Sequence, residues 1–398
     1  MNILPEAKEL LDKVIQIRRT IHQYPEPGFE EHQTAALIQE HLERLGIPFK
    51  SEIAETGVVA ELRTDPNRPT IALRADLDAL ELQEQTGASY ASKKPGYMHA
   101  CAHDAHVAIL LGVAEILSQK EPEGNVRFIF QPAEESVKRP DYVGGGAKLM
   151  VEAGVMKGVD AILAIHAFGD QPTGKITGWQ KLVHASCDTF KITIKGKGGH
   201  AATPEKGKDA IIMASQSVLA LQNIVSRMIE ATEPVVLTIG TIHGGSRHNI
   251  ICEKVEMEGT IRTLSEEVRN QIPIHLRRIL QGVVDSYQGK YELGYHNLYP
   301  VGQNDLKFSS FVHEITQNII GQENLILKEK PMMGSEDFWY YSKKVPACFL
   351  GVGCLNESKG IKYMNHHPKF DIDEDCMAIG MTILAKTAMK FLEQGGIK

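Results

Sequence analysis

Inward-facing positions recur at helical spacing through residues 6–46. They are Leu10, Leu11, Val14 and Ile17, then, beyond a break at Pro25–Gly28, Thr34, Ala36, Leu37, Ile38, Leu42 and Leu45. Val58–Arg63 and Thr70–Ala75 are apolar runs bounded by Gly, Pro and Asp, and they predict strands. Further on, the pattern predicts a helix over Val107–Gln119, a strand over Asn125–Gln131, a helix over Ala147–Ala153 and a strand over Ala161–His166. Strand and helix alternating at this spacing imply an α/β fold on a mostly parallel sheet.

The texture changes near residue 185. Asp188–Lys197 alternates as a strand, Asp209–Ile229 is helical, Val235–His243 and Glu253–Thr263 are strands, Glu266–Tyr287 is helical and Lys290–His296 is a strand. The order βαββαβ is the ferredoxin-like split arrangement, and a unit of about 110 residues is large enough to stand as a domain. The chain then returns to helix, to a strand at Ala347–Val352, and to a last helix at Glu374–Leu392. Residues 185–297 are therefore expected to be an α+β domain inserted between the two parts, 1–184 and 298–398, of an α/β domain.

At 398 residues, length alone gives a prior of two domains. The net charge of -7, with no basic run, argues against nucleic acid as a partner. No apolar run reaches the roughly 20 residues a membrane helix needs. Charges at Glu6, Lys8 and Glu9 interrupt the N-terminus, so no signal peptide is expected there. The six cysteines have no framework spacing. They read as free thiols of a cytoplasmic protein, with Cys101 set apart.

Cys101 stands out because His103 and His106 follow it, all at the point where the chain turns into a helix. Thiolate and imidazole suit zinc, and also serve manganese or cobalt. A thiolate can bridge two cations. The plainer alternative is a set of polar residues at a helix start. Glu134 and Glu135 directly follow an apolar strand. Adjacent carboxylates repel unless a positive charge lies between them. A metal supplies that charge, so one carboxylate can ligate while the other works on water. His166 closes a neighbouring strand, at the carboxyl end where parallel sheets carry their sites. Of His366 and His367, one is expected to supply a last ligand. Gly144-Gly-Gly-Ala-Lys lacks the remainder of a phosphate loop, Gly351-Val-Gly-Cys lacks the dinucleotide spacing, and Gly-X-Ser-X-Gly is absent.

Taken in order, these segments resemble the dinuclear metallohydrolase family of aminoacylases, hippurate and auxin-conjugate hydrolases and glutamate-carboxypeptidase-like enzymes, its aminoacylase and thermostable-carboxypeptidase branch in particular. The resemblance rests on Arg18-Arg-Thr-Ile-His-Gln-Tyr-Pro-Glu, Leu73-Arg-Ala-Asp-Leu-Asp-Ala-Leu, Met98–His106, Phe130-Gln-Pro-Ala-Glu-Glu, Gly196-Lys-Gly-Gly-His-Ala-Ala, Gly259-Thr-Ile-Arg-Thr, Gly334-Ser-Glu-Asp-Phe and His366-His-Pro-Lys-Phe-Asp-Ile-Asp-Glu-Asp. It covers nearly the whole chain. It implies a phosphorylase/hydrolase-like metallopeptidase domain with a ferredoxin-like lid and dimerisation domain, assembled as a homodimer or a dimer of dimers. It also implies two divalent ions per chain, zinc foremost, with manganese or cobalt as alternatives. Cys101 would bridge the ions, His103 and His166 would complete one site, and Glu135 and His366 the other. Glu134 would be the general base and then the acid. His200 would polarise the scissile carbonyl, reaching into the partner subunit's site. Arg262 and Asn249 would hold the substrate carboxylate. Asp76 would orient a ligand, and His99, Asp104 and His106 would be supporting residues. The family usually has Gly where this chain has Ala102. If positive φ is needed there, the geometry of His103 is the feature at stake.

The activity this implies is hydrolysis of the amide bond of N-acyl-L-amino acids by a metal-activated water. A carboxypeptidase on short peptides and an N-acetyl- or succinyl-diaminopimelate deacylase share the same site. A metal-binding protein without turnover is the rival from another class, and it has no use for a second carboxylate beside the ligand.

Overall fold

The computed structural model describes residues 1–63, 65–139 and 141–397, and the chain divides into two compact units. The larger comprises Met1–Val183, Gln303–Pro331 and Asp337–Lys398, and the smaller His184–Gly302 with Met332–Glu336. In chain order the elements are α1 (Pro5–Glu9), α2 (Leu11–Gln23), α3 (His32–Leu45), β1 (Phe49–Ile53), β2 (Gly57–Leu62), β3 (Thr70–Asp76), α4 (His103–Lys120), β4 (Asn125–Gln131), α5 (Gly146–Glu152), β5 (Ala161–Pro172) and β6 (Ile176–Trp179). In the smaller unit they are β7 (Cys187–Lys195), α6 (Ala210–Asn223), β8 (Val235–Gly244), β9 (Lys254–Thr263), α7 (Glu266–Ser286) and β10 (Lys290–Tyr299). The larger unit resumes with α8 (Leu306–Ile320), β11 (Leu325–Lys328), β12 (Ala347–Leu355) and α9 (Asp375–Glu393).

The large sheet runs β1-β2-β4-β3-β5-β12-β6-β11. Its four central strands, β4, β3, β5 and β12, are parallel. Antiparallel pairing is confined to the β1–β2–β4 edge and to the β12–β6 junction. Every residue of β3 is buried, as expected of a strand covered on both faces. Helix α4 is buried without interruption from His103 to Ala114. A helix apolar on all sides needs neighbours on all sides, and α2, α3 and α9 supply them. Gly112 permits the closest approach, since a Cβ there would meet Val14 of α2 and Met381 of α9. Among the described residues, no helix is long and apolar enough to cross a membrane.

In the smaller unit the sheet order is β8-β9-β7-β10, all antiparallel. Taken by position in the unit, that is second, third, first, fourth, the split βαβ arrangement. α6 and α7 pack together and contribute Met213, Ala214, Leu221, Ile272, Leu276 and Leu280 to a core of their own.

Candidate metal centre

Parallel strands deliver their carboxyl ends to one edge of the large sheet, and the candidate residues of the larger unit gather there. β3 ends at Asp76, with Asp78 two residues on. β4 ends at Gln131, just before Glu134 and Glu135. His166 lies within β5, and Cys101 and His103 sit at the start of α4. Asn365–Pro368 reaches the same place, where the His366 amide donates to the Ala100 carbonyl at 2.8 Å.

Cys101 is at the centre of the cluster. Its Sγ lies 3.4 Å from His166 Nε2 and 3.2 Å from His366 Nε2, and His366 Nε2 is 3.2 Å from a Glu135 oxygen. Two donor trios result, Cys101–His103–His166 and Cys101–Glu135–His366, each with ligand atoms within 4.8 Å of one another. They share the thiol. Glu134 forms a further group with His103 and Glu135. The sequence pattern leaves open which member of the His-His pair belongs here. His367 accepts from the Lys369 amide and stacks on Tyr363 at 4.3 Å, whereas His366 faces Cys101.

Asp78, given no role in the sequence reading, organises the cluster. Its carbonyl accepts from His103 Nδ1 at 2.8 Å, so Nδ1 carries the proton and Nε2 offers its lone pair. That Nε2 is buried without a hydrogen-bond partner. The Asp78 carboxylate accepts from the Glu134 amide at 2.9 Å and the Glu135 amide at 3.0 Å. Glu31 accepts from the Ala133 amide at 2.8 Å. Three successive amides of the loop are thus held by two buried carboxyl groups, through a residue, Ala133, at φ 49°. The one signal for Asp78 in the sequence is the alternation Asp76-Leu-Asp at a strand end, which turns both carboxylates to one side.

Asp76 is bonded to His106 Nδ1 at 2.6 Å and to Arg74 at 2.5 Å and lies 3.7 Å from His103 Nε2, while the hydrogen bond on His103 Nδ1 goes to the Asp78 carbonyl. His106 Nε2 accepts from the Ala167 amide at 2.9 Å, so both ring nitrogens of His106 are engaged within the fold. Asp104 turns toward α2, where Arg18 and His22 each reach it at 2.7 Å. His99 is buried, with neither ring nitrogen hydrogen-bonded. In the smaller unit, His200 and Asn249 are exposed neighbours: Gly199–His200 pairs with Ile250–Ile251, and the Ala201 amide donates to the Asn249 carbonyl at 3.1 Å. Arg262 is not with them. It lies one residue before the far end of β9, donating to the Met333 carbonyl and to Ser335 Oγ at 3.1 Å.

A divalent cation fits the donors of the larger unit. Burial opposes charge on His103, yet Asp76, Asp78 and Cys101 hold its pKa well above the usual imidazole value. Hydrogen bonds to Cys101 and Glu135 push His366 up to about 10. Burial, with the neighbouring His106, presses His166 well below. Surroundings that retain protons on two imidazoles among thiol and carboxylate groups favour a cation in their place.

Ala102 does stand at positive φ, 66°, in the left-handed position before α4. His103 keeps its place at an energetic cost. A left-handed Ala costs about 1–2 kcal/mol, of which the extra entropy of an unfolded Gly would offset roughly 0.5–1. Ala102→Gly is therefore expected to stabilise the protein by about 1 kcal/mol with unchanged metal content, as read from urea unfolding and elemental analysis.

The pattern described as Peptidase family M20/M25/M40 matches residues 72–390, from β3 and the cluster through to α9. The chain belongs to this family. As an M20 peptidase-family member it is a hydrolytic enzyme, an amidohydrolase. It is 39% identical to thermostable carboxypeptidase 1 of Saccharolobus solfataricus over 97% of both chains. It is 38% identical to an N-acetylcysteine deacetylase of Bacillus subtilis, over 96% of this chain and 97% of the other. With an IAA-amino acid hydrolase ILR1-like 4 of Arabidopsis thaliana it shares 35% identity, over 98% and 88% of the two chains. A solved M20 structure, the dinuclear metal binding peptidase YXEP of Bacillus subtilis, superposes with a TM-score of 0.82 at 35% identity, covering 97% of this chain and 99% of the other.

Proposed function

We propose that this M20 enzyme is a two-metal aminoacylase that releases an amino acid from its N-acyl conjugate. The observation that carries the reading is the pair of donor trios sharing Cys101, with a second carboxylate, Glu134, beside them. Cys101, His103 and His166 would hold one divalent ion, and Cys101, Glu135 and His366 the other. The shared thiolate favours zinc, with manganese or cobalt as alternatives. Two such ions, when bound, polarise the amide oxygen and acidify the attacking water. Glu134 takes the proton from that water and returns it to the leaving nitrogen. Asp78 keeps Glu134 and Glu135 at fixed angles through their amides. The names of the N-acetylcysteine deacetylase and IAA-amino acid hydrolase relatives point to N-acyl amino acids, and that of the carboxypeptidase relative to a second reading, hydrolysis of a peptide's last bond. N-acyl amino acids and dipeptides with the same C-terminal residue, assayed side by side, separate the two. A kcat/KM at least tenfold higher for the acyl series is expected, and a preference for dipeptides would move the assignment to carboxypeptidase.

Arg262 and Asn249 would hold the substrate carboxylate and His200 the scissile carbonyl, in a homodimer. Two observations within the smaller unit support this. First, Asn249 and His200 cluster near the Lys254 end of β9 while Arg262 is near its other end, and eight residues of strand span roughly 25 Å. One small substrate cannot meet both ends within one chain. Second, α6 exposes Ile211, Ile212 and Leu219, the last at 73%, and the adjoining edge strand β8 exposes Val236 and Ile242. Mixing inactive Glu134→Gln chains with inactive His200→Ala chains should restore activity, because one site of each mixed dimer keeps its own Glu134 and receives the partner subunit's His200. No recovery after subunit exchange would place His200 in its own chain's site.

A further inference from the structure

Helix α2 carries a charged cluster that the proposed chemistry does not use. Arg18, fully buried, donates through Nε to Asp104 at 2.7 Å, through Nη2 to Asp371 at 2.9 Å and through Nη1 to Glu374 at 3.2 Å. Around it, His22 Nδ1 lies 2.7 Å from Asp104, the Tyr90 hydroxyl donates to Asp371 at 2.7 Å, and Arg19 donates to Glu374 at 2.6 and 2.9 Å. The Tyr90 ring also faces the Arg18 guanidinium at 4.9 Å. Burying one cation among three carboxylates is weak as a source of stability, since desolvation consumes most of the attraction. Its arrangement in the chain is informative. Asp104 directly follows His103 at the start of α4, and Asp371 follows His366 by five residues. Each end of the clamp is thus anchored beside a different half of the metal centre.

The His366 half is the one that needs anchoring. His366 sits in a loop at φ 65°, and its side chain is 55% exposed, whereas His103 on α4, His166 on β5 and Cys101, two residues before α4, are buried. We infer that Arg18 is a positioning residue that locks the His366 loop onto the start of α4, and so sets the affinity of the Cys101–Glu135–His366 position for its ion. The inference rests on the two-metal reading given above. It leaves the other position, whose unshared donors His103 and His166 stand on α4 and β5, largely independent of Arg18.

Asp371→Asn weakens the loop side of the clamp without emptying the space around Arg18, and Tyr90→Phe removes one bond to the same carboxylate. Chelator-stripped full-length protein, titrated with zinc alone and followed by elemental analysis and calorimetry, gives both affinities. In wild type two ions bind. In Asp371→Asn one ion is expected to bind as in wild type and the other about tenfold or more weakly, with Tyr90→Phe intermediate. Ile319→Val, a core change in α8, serves as the stability control and is expected to leave both affinities alone. Equal affinities in Asp371→Asn and wild type, or an equal loss at both positions, would overturn the positioning role while the two-metal reading stood. Wild type binding fewer than two ions would overturn that reading, and this inference with it.

Discussion

Glu134→Gln is expected to lower kcat by about 10²–10⁴-fold, the usual contribution of a general base, while zinc content stays at the wild-type value. The substitution preserves the shape and the backbone amide that donates to Asp78, so the loop keeps its anchor. What is lost is a group able to take a proton from water and hand it on. KM is expected to change little, because Glu134 acts on the reacting water rather than on the bound conjugate. Kinetics and metal analysis on the same preparation check both halves. Full activity in this variant would remove Glu134 from the mechanism, and loss of metal would make it a ligand.

Cys101→Ser is expected to be the more damaging change. Cys101 is the donor common to both trios, and a serine hydroxyl in its place remains neutral at pH 7. Loss of an outer partner of a ligand ordinarily costs 10–100-fold in metal affinity, so loss of the shared ligand should cost more than about 100-fold, at both positions. The variant should purify with little metal, show no turnover at micromolar zinc and lose the rise in melting temperature that added zinc gives the stripped wild type. A variant still holding two ions tightly would show that the thiolate does not bridge.

The hydrophobic pattern revealed most of the architecture, and where it failed the reasons are local. The helix expected from Val107 begins at His103, because His103, Asp104 and His106 are buried with bonds to Asp78, Arg18 and Asp76 respectively, and polar residues buried this way carry no apolar signal. β1, β6 and β11 were not anticipated. β1 and β11 are short edge strands of the large sheet, and β6 is only four residues long. At the cluster, residue chemistry points to the donors, and the resemblance supplies their grouping. The residues that hold them in place were harder to see. Asp78 acts through its carbonyl and through the amides of another segment, and Glu31 and Arg18 act on loops more than 80 residues away. Such bonds follow from the folded path of the chain and leave no periodicity in it.

The order of strands in the large sheet has a consequence for how the protein is made. β12, at residues 347–355, lies between β5 and β6, which leave the ribosome some 170 residues earlier. The larger unit can therefore not close its sheet during most of synthesis, whereas all of β7 to β10 has already emerged and can pair. Until β12 arrives, β5 presents an apolar, unpaired edge, and the segment carrying His366 follows later still. The nascent chain thus spends much of its synthesis with β5 awaiting its neighbour, and a ribosome stall between residues 303 and 347 would hold it in its most aggregation-prone form.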